Sequence, residues 1–151
     1  LMNRLIFDTK FHDADLLISE VTPNMLKFDQ LNKLSTQIQN TIKSTSALEK
    51  YSLNLWKATK NPEKYNVKIS GIDTERLIIS GASPRGISMM MKCARVSAWL
   101  NNRISILPED IHAIFHETIA HRLVFNPVYE LKRTEISREL SNEILNKVSV
   151  T

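Results

Sequence analysis

The chain has 151 residues, which is enough for one domain with a hydrophobic core. Hydrophobic residues make up 42% and charged residues 24%, as in ordinary globular proteins, and only three glycines favour helices over a turn-rich β fold. A single cysteine, Cys93, excludes an intramolecular disulfide and every multi-cysteine zinc pattern. No apolar run approaches the roughly 20 residues of a membrane span, and no signal-peptide pattern is present. We therefore expect a cytoplasmic location without a membrane span.

The net charge of +4 is unevenly distributed along the chain. Residues 24–70 hold eight lysines against three acidic residues, and the flanking segments are close to neutral. A solvated helix face is the simpler interpretation, because the lysines are not interleaved with aromatic residues as in a nucleic-acid groove. A basic helical module that binds nucleic acid or acts as an adaptor is kept as the alternative.

The first part of the chain predicts an extended piece followed by three helices. Apolar and polar residues alternate over residues 4–11, which indicates a short extended segment. After this segment, N-cap residues indicate where helices begin, and Asn-Pro or Thr-Pro pairs indicate where they end. The predicted helices run from Asp13 to Glu20 before Thr22-Pro23, from Asp29 onward, and from an N-cap within residues 44–46 to Asn61-Pro62.

The second part predicts three more helices. The segments NVKI at 66–69 and RLIIS at 76–80, which flank a glycine-containing loop, are compatible with a small hairpin. Helices are predicted from Ser83 to about Leu100, from Pro108 to Asn126-Pro127, and from an N-cap at Thr134 through Val148. The sum is an all-α fold, a small helical bundle with a short extended N-terminal segment and one tiny hairpin.

Residues 79–91 read ISGASPRGISMMM and place an arginine in the first turn of a predicted helix. With Ser83 as N-cap, Arg85 occupies the second helical position, where a cation opposes the helix macrodipole by roughly a few tenths of a kcal/mol. A bound phosphate would explain the arginine, because free helix N–H groups and a guanidinium both bind phosphate. A solvent-exposed arginine without a ligand is the alternative that the residues alone leave open.

Three motifs occur in a fixed order: GASPRG at 81–86, LNNRISILPEDI at 100–111 and IAHRLVFNP at 119–127. In order and spacing they resemble the C-terminal lid of the MoxR family of AAA+ ATPases. LMNRLIF at 1–7 resembles the family's L-x-D-R-F segment, where the ATPase core leads into the lid, although Asn3 and Leu5 depart from it. The resemblance implies a helical bundle of the AAA+ lid type.

The resemblance also implies functional roles for two arginines. Arg85 matches the family's sensor-2 arginine, which reaches from the lid to the γ-phosphate of ATP bound at the core domain. Arg4 matches the arginine of L-x-D-R-F, a candidate finger that acts on ATP held by the neighbouring subunit of a ring. Further cofactor-binding positions that the resemblance implies are Gly81, Ala82, Ser83, Pro84 and Gly86.

The resemblance implies that residues 1–12 belong to the end of the core domain or to a linker and that residues 13–151 form the lid. The sequence contains no GxxxxGK[ST] loop, so we expect this chain alone not to hydrolyse ATP, and we expect the nucleotide-binding core before Leu1. For the longer protein, the resemblance implies Mg-ATP, a homo-hexameric ring, chaperone-like maturation of partner complexes and a partner with a von Willebrand factor A-type domain.

The histidines offer weaker candidates. His112 and His116 have the spacing of a zinc pair but lack a third ligand, so they are predicted as surface histidines and no metal site is expected. His121 and Arg122 match the family's HR pair, and we predict that they place cations near helix C-terminal carbonyls. Trp56 is predicted to be a core or rim residue.

Overall fold

The computed structural model describes residues 7–21 and 27–150 of the chain, which divides into two compact units, residues 1–35 and 36–151. Within the described ranges the predicted all-α fold is confirmed, with six α-helices and one two-stranded sheet. The elements are α1 (Ala14–Glu20), α2 (Phe28–Thr41), α3 (Ser46–Lys60), β1 (Ile78–Ser80), α4 (Pro84–Leu100), α5 (Pro108–Ile119), β2 (Val124–Phe125) and α6 (Arg133–Lys147). Short 3-10 helices cover Thr9–His12, Pro62–Tyr65, Ala120–Arg122 and Pro127–Lys132.

The first unit contains the Thr9–His12 turn and α1. The extended segment predicted for residues 4–11 is wrong for its described end, because the Asp8 side chain accepts a hydrogen bond from the Lys10 N–H and starts a 3-10 helix. The beginning of that segment and the Thr22-Pro23 break lie outside the described residues. The N-cap of α1 is confirmed, since the Asp13 side chain accepts from the Leu16 N–H at 3.0 Å.

The core of the second unit lies between α3, α4, α5 and α6. Their apolar residues recur at spacings of three and four, which places one face of each helix inside the bundle. Among the described residues, no helix is both long and apolar enough to cross a bilayer. The largest buried side chains of these helices include Tyr51, Leu55, Met90, Ile111, Phe115, Ile119, Leu140 and Ile144.

Most predicted helix ends are confirmed, and two are wrong. The helix predicted from Pro108 to Asn126-Pro127 is too long, because α5 ends at Ile119 and the chain continues through a 3-10 turn into β2. Thr45 caps α3 by accepting from the Leu48 N–H at 3.2 Å, and Pro84 begins α4 as predicted. The cap predicted at Thr134 is wrong, because α6 already begins at Arg133. The preceding 3-10 helix carries the chain directly into α6, so no extended residue stands where a side-chain cap would form.

The small sheet is present, but its pairing differs from the predicted hairpin. β1 pairs with β2 in antiparallel fashion, and Ile78 lies opposite Phe125. NVKI instead leads into a tight turn in which Ile69 bridges Ile72 around Gly71, whose φ is +71°. A local turn therefore takes the place of the hairpin, and the partner of β1 comes from a distant part of the chain.

A buried carboxylate joins the end of α4 to the start of α5. Asp110 is 1% exposed and accepts three hydrogen bonds, from Ser97 Oγ at 2.8 Å, from Arg103 Nη2 at 2.6 Å and from the Leu107 N–H at 2.9 Å. A buried charge is tolerable only when it is paired and hydrogen-bonded in this way. Asp110 therefore fixes the angle at which α5 leaves the α4–α5 loop.

We expect Asp110→Ala to lower the free energy of unfolding by about 3 kcal/mol, because it leaves the Ser97 hydroxyl and the Leu107 N–H without their acceptor and removes the buried partner of the Arg103 charge. Urea denaturation followed by circular dichroism measures this loss. Glu109→Ala is the matched control. Glu109 also pairs with Arg103 but has a side chain 71% exposed, so its loss should cost less than about 1 kcal/mol. Equal losses in the two variants would contradict the assigned role of Asp110.

Candidate functional site

The turn of residues 81–83, between β1 and α4, positions the start of α4. The turn is extended at Ser83, with φ −70° and ψ 164°, and the Gly86 N–H donates to the Ser83 carbonyl at 2.8 Å. Ser83 therefore occupies the N-cap position as predicted, but its hydroxyl makes no capping hydrogen bond. Ala82 is completely buried, which anchors the turn to the bundle.

Arg85 follows in the first turn of α4 and is exposed to solvent. That turn holds no acidic residue, and no described residue forms an ion pair or hydrogen bond with the Arg85 guanidinium. A cation at the positive end of a helix gains nothing from the helix itself. Pro84 has no N–H and the Gly86 N–H is bonded to Ser83, so the arrangement leaves the guanidinium and the Arg85 N–H available to an anion.

The backbone of α3 approaches position 81 so closely that only glycine fits there. A Cβ atom at this position would lie 2.8 Å from the Lys60 Cα and 2.9 Å from the Lys60 nitrogen, both backbone atoms that cannot move cheaply. The ammonium of Lys60 lies 4.2 Å from the centroid of the Trp56 ring. The Trp56 indole N–H in turn donates to the Ala82 carbonyl at 2.6 Å. The last turn of α3 thus supports the turn of residues 81–83.

Gly86 lies against Arg122, which belongs to the predicted HR pair. A Cβ atom on Gly86 would be 3.0 Å from Arg122 Cδ and 3.8 Å from Arg122 Nε. Arg122 Nε donates to the Thr118 carbonyl at 3.0 Å, and His121 Nδ1 lies 3.1 Å from the Glu117 carbonyl. The helix-end role predicted for the pair is confirmed. The same contact brings a second guanidinium to the start of α4.

The structure therefore brings the predicted positions 81–86 together and adds Lys60 and Arg122 beside them. Arg4, the other predicted arginine, lies outside the described residues. Sequence reasoning missed the contact of Trp56 with the turn, having predicted only a core or rim residue. One signal pointed to it: a partly buried indole N–H normally finds an acceptor.

The two histidines of α5 contact the hydroxyl groups of two different side chains. His112 is exposed, with Nε2 2.8 Å from the Tyr51 hydroxyl, and His116 is partly buried, with Nδ1 3.1 Å from Ser141 Oγ. Burial raises the pKa of Tyr51, so its hydroxyl keeps its proton and can donate to His112. In the described ranges no three His, Cys, Asp or Glu side chains converge on a common point.

Comparison with known proteins agrees with this geometry. Residues 72–146 match the family described as the AAA lid domain. Protein MoxR of Methylorubrum extorquens is 40% identical over 144 residues, which are 95% of this chain and 42% of that protein. Chaperone MoxR1 of Mycobacterium tuberculosis is 30% identical over 105 residues, 70% of this chain and 26% of that protein. A solved structure of a candidate ATPase from Cytophaga hutchinsonii superposes with a TM-score of 0.71 at 26% identity, covering 92% of this chain and 44% of that one.

This helical bundle carries GASPR at the start of α4 and HRL packed beside it, and it is an AAA lid domain. Within that class, the chain belongs to the MoxR family. It spans less than half the length of the relatives that it matches.

We expect Gly81→Ala to lower the free energy of unfolding by about 2 kcal/mol, because the new methyl group meets the Lys60 backbone. Thermal and urea denaturation measure the change. Gly86→Ala is the matched control. Its methyl group meets the flexible Arg122 side chain at 3.0 Å and the Ala82 Cβ at 3.3 Å, both side-chain atoms, and it replaces a helical glycine, so stability should stay within about 1 kcal/mol. If Gly81→Ala proved as stable as Gly86→Ala, the close approach of α3 would not constrain the turn.

Proposed function

We propose that this chain is the lid through which a MoxR-type ATPase senses its nucleotide, and that Arg85 is the sensor-2 residue. One observation carries the proposal: Arg85 is exposed in the first turn of α4 without any partner among the described side chains. Membership of the AAA lid family supports this role over the nucleic-acid alternative, which rests on the distribution of lysines alone.

The residues around Arg85 fit a triphosphate. Gly81 and Gly86 place no side chain of their own beside Arg85. The carbonyl of Ala82 accepts a hydrogen bond from Trp56 and so does not oppose an anion. When bound, Mg-ATP supplies the phosphoryl group that is transferred to water. The chain's own contribution is a guanidinium fork that binds phosphate oxygens and stabilises the negative charge that builds up on them.

The whole protein is proposed to resemble its relatives in assembly. An ATPase core that precedes this lid would bind Mg-ATP at the junction with the lid, and the subunits would form a ring, with six as the expected number. Chaperone-like maturation of partner complexes is proposed because one relative carries the name chaperone MoxR1. We also propose that the whole protein has a partner with a von Willebrand factor A-type domain and that it is located in the cytoplasm.

In a polypeptide that joins this lid to its ATPase core, we expect Arg85→Ala to lower kcat for ATP hydrolysis about 10- to 1,000-fold, because the transition state loses one cationic contact. A steady-state phosphate-release assay measures kcat. Arg138→Ala is the matched control, since Arg138 is an exposed arginine on α6 and should give the wild-type rate. Thermal unfolding should match the wild type in both variants. A wild-type kcat for Arg85→Ala would refute the sensor-2 role.

Arg4 is proposed as the finger that acts on the neighbouring subunit's ATP. Arg4→Ala and Arg85→Ala proteins should each be nearly inactive, but a one-to-one mixture should recover about a quarter of the wild-type rate, because some interfaces then combine an intact Arg85 with a neighbour's intact Arg4. Subunit exchange followed by an ATPase assay tests this. A mixture as inactive as its components would show that Arg4 does not act across the interface.

A further inference from the structure

We infer that Trp56 is a positioning residue for Arg85, and that the last turn of α3 decides where the sensor guanidinium lies. The inference rests on the sensor-2 role proposed above and adds a residue to it. The Trp56 indole donates its hydrogen bond to Ala82, three residues before Arg85. Its effect passes through the backbone of Ala82 and Ser83.

The Ala82 carbonyl depends on Trp56 for its hydrogen bond. The indole N–H lies 2.6 Å from the carbonyl oxygen, and no other described residue donates to that oxygen. Ala82 itself is completely buried, so an unpartnered carbonyl there would be costly. The bond therefore fixes the orientation of the peptide plane between Ala82 and Ser83.

That peptide plane determines the start of α4. Ser83 accepts the first hydrogen bond of the helix through its carbonyl, and its own hydroxyl makes no capping bond that could hold the position instead. A rotation of the preceding peptide changes the backbone angles of Ala82 and Ser83 and swings the first turn of α4. Arg85 lies only two residues further on and would move with it.

The indole is itself held in place. The Lys60 ammonium lies 4.2 Å from the ring centroid, and the Lys60 backbone packs under Gly81. Trp56 and Lys60 are four residues apart and occupy one face of α3. One helical turn therefore contacts the residues before Arg85 at two points, the Ala82 carbonyl and the Gly81 Cα.

The test uses the polypeptide that contains both the lid and its ATPase core. Trp56→Phe keeps an aromatic ring for Lys60 but removes the indole N–H. We expect kcat to fall about 3- to 30-fold with little change in KM for ATP, because a displacement of about 1 Å is enough to weaken a transition-state contact. Trp99→Phe is the matched control. Trp99 is 41% exposed and lies 14 residues, or about 20 Å, further along α4, so its kcat should stay at the wild-type value.

The double variant Trp56→Phe/Arg85→Ala separates positioning from general destabilisation. If Trp56 acts through Arg85, the double variant should be no slower than Arg85→Ala alone, because the misplaced group is already gone. The inference would be overturned if the double variant lowered kcat by the product of the two single-variant factors, or if Trp56→Phe kept the wild-type kcat. A wild-type kcat for Arg85→Ala would instead refute the sensor-2 role, which distinguishes the two failures.

If the Trp56→Phe variant does not fold, the Lys60→Met variant is used for the test in its place. It keeps the aliphatic part of the side chain beside Gly81 and removes only the charge over the ring. We expect the same decrease in kcat of about 3- to 30-fold as for Trp56→Phe. Combining Lys60→Met with Arg85→Ala should lower kcat no further than Arg85→Ala alone. A wild-type rate for Lys60→Met would overturn the inference in that case.

Discussion

The close approach of the α3 backbone to Gly81 is the constraint on which the candidate site depends. A side chain on Gly81 would collide with the Lys60 backbone, so the chain must pass this point without a Cβ atom. The approach buries Ala82, brings its carbonyl within reach of Trp56 and sets the direction in which α4 begins. Arg85, in the first turn of that helix, is exposed to solvent, and no described side chain neutralises its charge.

Local chemistry allowed most of the helices to be predicted. Asp13, Thr45 and Pro84 are start signals that act within three or four residues, and each begins a helix where expected. The exception is Thr134, which has the right side chain but follows a chain segment that is already helical. A capping residue predicts a helix start only when the preceding residues are extended.

Long-range contacts could not be predicted in the same way. β1 has three residues and β2 has two, too few for a periodic pattern, and 43 residues lie between the paired residues Ser80 and Val124. The hydrogen bond from Trp56 to Ala82 likewise joins residues that are 26 positions apart. Arg85 could be predicted because its helix position makes it locally unfavourable. The only signal for Trp56 was that a partly buried indole N–H needs an acceptor, and that requirement does not say which residue supplies it.

The pairing of β1 with β2 has a mechanical consequence. β1 leads directly into the turn before Arg85, and β2 follows Arg122 by only one residue. The backbone hydrogen bond from the Asn126 N–H to the Leu77 carbonyl extends this link. The small sheet therefore joins the two segments that carry Arg85 and Arg122, so a displacement of one segment would be transmitted to the other.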